Sequence, residues 1–194
     1  MNTREFVLDA VRRHQPAARP LPDVPRFERP TQDRLATFTA ALERMGGVVV
    51  SAPAHLSLGA FVAQRFPQAR VICSAALEVH GSRELATVHH PRELEDVDVG
   101  VVRAAFGVAE TGSVWLSECE LGVNALGFLS QHLVVLLDPA AIVEGLQDAY
   151  CHSGFAQARY SVLMTGPSAT ADIEGVLVRG AQGIRSLTVI PVPV

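Results

Sequence analysis

The sequence predicts an α/β fold in which a mostly parallel, partly mixed sheet is covered by helices. Three observations carry that expectation. Helix-like and strand-like segments alternate in units of about 20–25 residues along the first half of the chain, the rhythm of parallel strands joined by helical crossovers. Leu133–Leu137 is an unbroken aliphatic run, as a strand covered on both faces requires. The composition, 48% hydrophobic and 19% charged over 194 residues, can fill one core without disulfides or a structural metal. The whole chain, 1–194, is therefore expected to be one domain.

The elements follow in order. Residues Thr3–His14 read as a helix, with Phe6, Val7, Ala10 and Val11 on one face. Prolines at 16, 20, 22, 25 and 30 exclude a helix across that stretch. It reads as an extended strap that, with the first helix, packs on the domain or extends from it. Thr31 is the expected cap of a second helix carrying Leu35, Phe38, Ala41, Leu42 and Met45 on one stripe, ended by Gly46-Gly47. Val48–Val50 reads as a strand, Leu56–Phe66 as a helix and Val71–Cys73 as a strand. Val97–Arg103, Val108–Glu110 and Ser113–Ser117 are short strand-like pieces joined by turn residues, which makes this part mixed. After Leu133–Leu137, Asp138-Pro139 is expected to open a helix, with the aspartate capping and the proline in the first turn. Tyr160–Met164 and Leu187–Ile190 complete the strands, around a helix near Asp172–Val178.

Several functions are excluded. All 16 basic residues are arginine, which removes a lysine Schiff base, hence covalent pyridoxal phosphate, and the phosphate-loop lysine. A net charge of −4 with scattered arginines argues against a nucleic-acid surface. Cys73, Cys119 and Cys151 are too few and too far apart for an iron–sulfur cluster and are expected to be buried thiols. The five-residue run at Leu133–Leu137 is the longest aliphatic stretch, where a membrane span needs about 20. The first residues carry an acid and lead to no apolar signal core, so a cytoplasmic location is expected. His80, His89, His90 and His132 offer no metal-ligand spacing, and His132 reads as a satisfied residue at a strand edge. Trp115 can face either side of its strand.

Two segments can carry chemistry. In Ala109-Glu110-Thr111-Gly112-Ser113 a carboxylate precedes a turn whose glycine can take positive φ. Glu110 is then a nucleophile or general base beside the turn's N–H groups, or else a turn glutamate pointing into water. In Thr165-Gly166-Pro167-Ser168-Ala169-Thr170-Ala171-Asp172-Ile173-Glu174 an apolar strand runs through Gly-Pro into an expected helix start. Strand carboxyl ends that feed helix amino ends bind ligands in open α/β sheets. Ser168 and Thr170 would bind a small carboxylate or phosphate there, or would merely cap the helix. If Asp172 lies near Glu110, the like charges would raise the proton affinity of one of them.

Taken together, and with Gly180-x-x-Gly183 before the last strand, these segments resemble the LUD-domain family, of the lactate-utilisation protein C type. The most specific string is Gly-Pro-Ser-x-Thr-Ala-Asp-Ile-Glu at 166–174, and the similarity runs from about Val97 to the C-terminus. The resemblance implies a three-layer α/β/α sandwich like that of the glucosamine-phosphate isomerases, ribose-phosphate isomerases and CoA transferases. It implies an accessory role in bacterial oxidation of L-lactate to pyruvate, with iron–sulfur partner subunits carrying the electrons. By analogy with CoA transferases, Glu110 would serve as a carboxylate nucleophile. The site so implied has Glu110 and Asp172 as catalytic acids and Thr111, Gly112, Ser113, Gly166, Ser168, Thr170 and Gly183 as ligand-binding residues. Two departures stand out: Gly180-Ala181-Gln182-Gly183-Ile184 replaces the family's usual Gly-Val-His-Gly-Pro, and Ser130-Gln131 stands before His132 where a proline and a basic residue are common.

Overall fold

The structure is a computed structural model that describes residues 2–20, 22, 33–171 and 175–194. Its centre is a six-stranded, wholly parallel sheet of β1 (Val48–Val49), β2 (Ile72–Ser74), β3 (Arg83–Glu84), β4 (Val99–Arg103), β7 (His132–Leu137) and β12 (Ser186–Pro191), in the order β1-β12-β7-β4-β2-β3. The central strands alternate sharply. Leu133, Val135 and Leu137 enter one core, while Val134 and Leu136 enter the other. That is the period-two reading of a strand with both faces covered.

One face is closed by α3 (Leu58–Arg65), whose Val62 is buried against Val99, Val101, Val134 and Ile190. Over the other face lie α2 (Arg34–Arg44), α4 (Glu118–Leu121) and α5 (Leu126–Leu129), together with a second, smaller sheet. That sheet runs β8-β5-β6-β9, from β5 (Phe106–Val108), β6 (Ser113–Ser117), β8 (Ile142–Val143) and β9 (Ser161–Met164). Its pairings are parallel for β5 with β8 and antiparallel for β5 with β6 and β6 with β9. The mixed part expected of the middle of the chain thus forms a sheet of its own. Its outer face packs Phe106, Val108 and Trp115 against Ala149 of α6 (Leu146–Tyr150) and against α7 (Gly154–Gln157). The α/β class, the mainly parallel sheet and the layered sandwich stand as read from the sequence.

Four local expectations are corrected. The second helix is capped by Asp33, whose carboxylate accepts the Ala36 N–H at 3.0 Å; Thr31 and most of the proline strap lie outside the described residues. Asp138 does cap, accepting the Ala140 N–H, but only a single 3-10 turn follows before the β-branched pair Ile142-Val143 joins β5 as β8. Val178 belongs to β11 (Val178–Arg179), which pairs antiparallel with β10 (Ala169–Thr170), and residues 175–177 are not helical, so the latter part of the helix expected near Asp172–Val178 does not form; residues 172–174 lie outside the described residues. Exposed Val176, Leu177 and Val178 show no apolar stripe a helix could bury there. Of the three thiols, Cys73 is buried but Cys119 and Cys151 are exposed. Finally, α1 (Thr3–Arg13) forms with a capping box from Asn2 and Glu5, and none of its residues is buried.

Candidate functional site

The two motif segments meet. β6 and β9 pair with Val114 opposite Met164, so the next residues outward, Ser113 and Thr165, face each other. Their hydroxyls lie 2.5 Å apart, and the Thr111 hydroxyl lies 2.7 Å from that of Ser113. This three-hydroxyl chain ties the turn at 110–113 to the loop at 165–168. Both loops press on the end of α2, where only glycine fits. Gly112 has φ +69° and a Cβ there would stand 2.2 Å from the Leu42 nitrogen; Gly166 has φ +71° and a Cβ there would stand 2.6 Å from the Met45 carbonyl oxygen.

Glu110 faces the other way along the small sheet. Its N–H donates to the Glu144 carbonyl at 3.0 Å, and its Oε2 accepts the Leu146 N–H at 3.2 Å. Its side chain is exposed, yet it leans on the β8–α6 turn, whereas the hydroxyl chain reaches toward β9. The turn is neither a bare solvent-facing glutamate nor a carboxylate aimed at Ser168. Asp172 lies outside the described residues.

Ser168, Thr170 and Gly183 do come together. The Ser168 N–H donates to the Ile184 carbonyl at 3.0 Å, and its own carbonyl accepts the Gly180 N–H. Thr170 pairs with Val178, and a Cβ on Gly183 would lie 3.4 Å from that of Ser168. Among the described residues no helix begins behind these hydroxyls, and β10 stands at Ala169–Thr170. The cluster also lies at the amino end of the parallel sheet, beside Ile184 and Arg185 just ahead of β12. The carboxyl-end placement inferred from β9 therefore does not transfer, since β9 belongs to the antiparallel part of the smaller sheet.

The parallel sheet has cavities at both ends. At the amino end, about 480 Å³ is lined by Arg65, Phe66, Asp98, Gln131, His132 and Arg185 among others. His132 is held there by the Ser186 hydroxyl, 2.8 Å from its Nδ1, and by the Phe66 ring at 4.9 Å. Burial, reinforced by the Arg185 guanidinium, pushes the His132 pKa below its ordinary value against a smaller opposite pull from Asp98. The backbone N–H groups of Val71 and Arg70 hold Asp98 below the usual carboxylate range. At the carboxyl end, cavities of about 400 and 240 Å³ share Ala105, Cys119 and Glu120. The first also takes in Glu78 and Arg103, an ion pair with Nε 2.6 Å from Oε1, and the second takes in Trp115 and His152. Carboxyl ends are the usual ligand side of such a sheet. Nothing in the residue pattern marked these positions, because Val114, Trp115 and Leu116 are all apolar and give no face preference. Among the described residues no group of three or more His, Cys, Asp or Glu side chains is placed to hold a metal ion.

Comparison with solved structures gives the same architecture. The crystal structure of a DUF162 family protein from Deinococcus radiodurans superimposes with a TM-score of 0.62 over 81% of this chain and 95% of that one, at 16% identity. At that identity the likeness is one of fold. Comparison with curated proteins gives no match. The family model of the LUD domain matches residues 79–192, more than half of the chain and including both motif loops, β12 and both ends of the parallel sheet. The chain belongs to the LUD domain family.

Proposed function

We propose that this protein is a LUD-domain subunit of a bacterial L-lactate utilisation system, acting in the cytoplasm beside iron–sulfur partner subunits. Oxidation of lactate to pyruvate releases two electrons and two protons; the electrons pass to clusters on the partners, since three scattered cysteines cannot hold one here. What supports the reading is the Ser113–Thr165 contact. It joins, in a chain of this family, the two segments on which the resemblance rests. In this reading the whole chain is one LUD domain. Thr111, Gly112, Ser113, Gly166, Ser168, Thr170 and Gly183 shape a surface for a small carboxylate, and Glu110 and Asp172 supply the acids, Glu110 only by turning from the Leu146 N–H that holds it.

The test is genetic and biochemical. Deleting the gene abolishes growth on L-lactate while growth on pyruvate is kept, and the tagged protein co-purifies with proteins carrying iron–sulfur absorbance. Unimpaired growth on lactate together with purification of the chain alone would sink the assignment.

A further inference from the structure

The cavity at the amino end of the parallel sheet gathers polar groups that the rest of the fold leaves unused. Three neighbouring strands begin there: Val99 of β4 pairs with His132 of β7, and His132 with Ser186 of β12. Asp98 and Arg185 directly precede two of these residues, and Arg65 and Phe66 border the same space from the end of α3. Backbone bonds fix this row. The His132 N–H donates to the Asp98 carbonyl at 2.9 Å, and the Arg185 N–H donates to the Gln131 carbonyl at 2.8 Å.

The side-chain heads on this fixed row keep free capacity. Asp98 accepts the N–H groups of Arg70 and Val71 on Oδ2 alone, which leaves Oδ1 without a hydrogen bond among the described residues. His132 uses only Nδ1, on the Ser186 hydroxyl. Among the described residues the one fully buried side-chain polar atom without a partner is Trp115 Nε1. His132 Nε2 and Asp98 Oδ1 are therefore not sealed in, and a ligand in the cavity their residues line can reach them. The guanidiniums of Arg65 and Arg185 make no ion pair among the described residues. Two guanidiniums thus stand against one carboxylate, and burial first, then Arg185, holds His132 neutral near pH 7. That surplus of one positive charge suits a monoanion. A phosphate dianion would set its second charge against Asp98 and the carbonyl end of α3. A carboxylate meets a guanidinium fork with two parallel bonds, while Asp98 Oδ1 only accepts and so asks the same ligand for an O–H. The 480 Å³ equal the share of about sixteen waters, room for a chain of up to about six carbons.

We propose that this cavity binds a small monoanionic hydroxy acid, its carboxylate on Arg185 with Arg65 at the rim, and its hydroxyl between Asp98 Oδ1 and His132 Nε2. The site shares no residue with the surface assigned above, and it stands whether or not the chain serves lactate oxidation.

L-lactate, D-glycerate and D-gluconate are titrated into the purified chain by calorimetry. Propionate and hexanoate serve as acids without hydroxyls, and inorganic phosphate as the dianion. At least one hydroxy acid binds saturably, about tenfold or more tighter than the bare acids and phosphate. It also shifts the His132 ring signals in the NMR spectrum, which His132→Gln identifies by their loss. Arg185 is exposed and its guanidinium bonds nothing else among the described residues. Arg185→Gln therefore leaves the fold intact and weakens binding at least about tenfold, whereas Arg12→Gln on α1, which removes the same charge elsewhere, leaves it unchanged. The proposal is overturned if no hydroxy acid binds up to about 10 mM. It is equally overturned if propionate or phosphate binds as tightly as the best hydroxy acid, or if Arg185→Gln keeps the full affinity. Because the readout is binding by the isolated chain, its failure is separate from failure of the growth test on lactate.

Discussion

His132 shows how a single side chain can be read two ways until its neighbours are known. As a lone histidine before an apolar strand it is most simply a satisfied edge residue. The structure bears this out in the Ser186 hydroxyl and the Phe66 ring that hold it. The same surroundings give it a thermodynamic signature. Its folded pKa lies below the ordinary 6.5, through burial first and Arg185 second. Between the folded value and 6.5 the unfolded chain binds more protons at this residue than the folded chain does. Stability therefore rises with pH across that window and is lost as pH falls through it. Asp98, the facing acid, titrates below the usual carboxylate range and so stays charged throughout. Urea midpoints of the wild type should fall from pH 7 to pH 5, and His132→Gln should flatten part of that fall. Equal slopes in the two proteins would mean that His132 titrates normally.

At the level of elements, the loops of the small sheet are fixed by what they rest on, not by their own propensities. Gly112 is the clearest case, being pressed against the backbone of α2 at Leu42. Gly112→Ala adds a left-handed φ for a residue with a Cβ and a clash with main chain that no rotamer relieves. The expected loss is more than about 3 kcal/mol, or upwards of about 6 °C in Tm at this size. Gly59→Ala in α3, where an added Cβ meets nothing within 4 Å, is the control and should be neutral or stabilising by about 0.5–1 kcal/mol. Similar losses from both substitutions would contradict the close approach. The contrast also marks what the sequence could disclose. Gly-bearing turns, the aliphatic β7 and the stripe on α2 were all legible, because each is dictated by periodicity or by φ. The pairing of β10 with β11 was not, since a polar segment after Gly-Pro carries the same signals whether it opens a helix or pairs as β10. Nor was the direction of Glu110, which is set by a turn 36 residues away through the Leu146 N–H. The segments that meet could be named from the sequence, but the end of the sheet at which they meet could not.

On the scale of the whole molecule, the mass of buried apolar side chains lies on the two faces of the six-stranded sheet and beneath α6 and α7. The N-terminal helix contributes to none of these. Asn2 and Glu5 close a capping box on α1 and Arg12 and Arg13 occupy its last turn, so local signals suffice to specify it. Yet Phe6, Val7 and Val11 on its apolar face are 55%, 52% and 55% exposed. A helix of eleven residues is marginal in water without a tertiary partner, so it adds little to the folding free energy of the body. Deleting residues 2–20 should accordingly shift Tm by less than about 2 °C, within what half a kilocalorie produces in a domain of this size. The far-ultraviolet dichroism should lose only the small helical signal of α1. A drop of many degrees would show that the apolar face of α1 is covered in solution, and that the first helix belongs to the core.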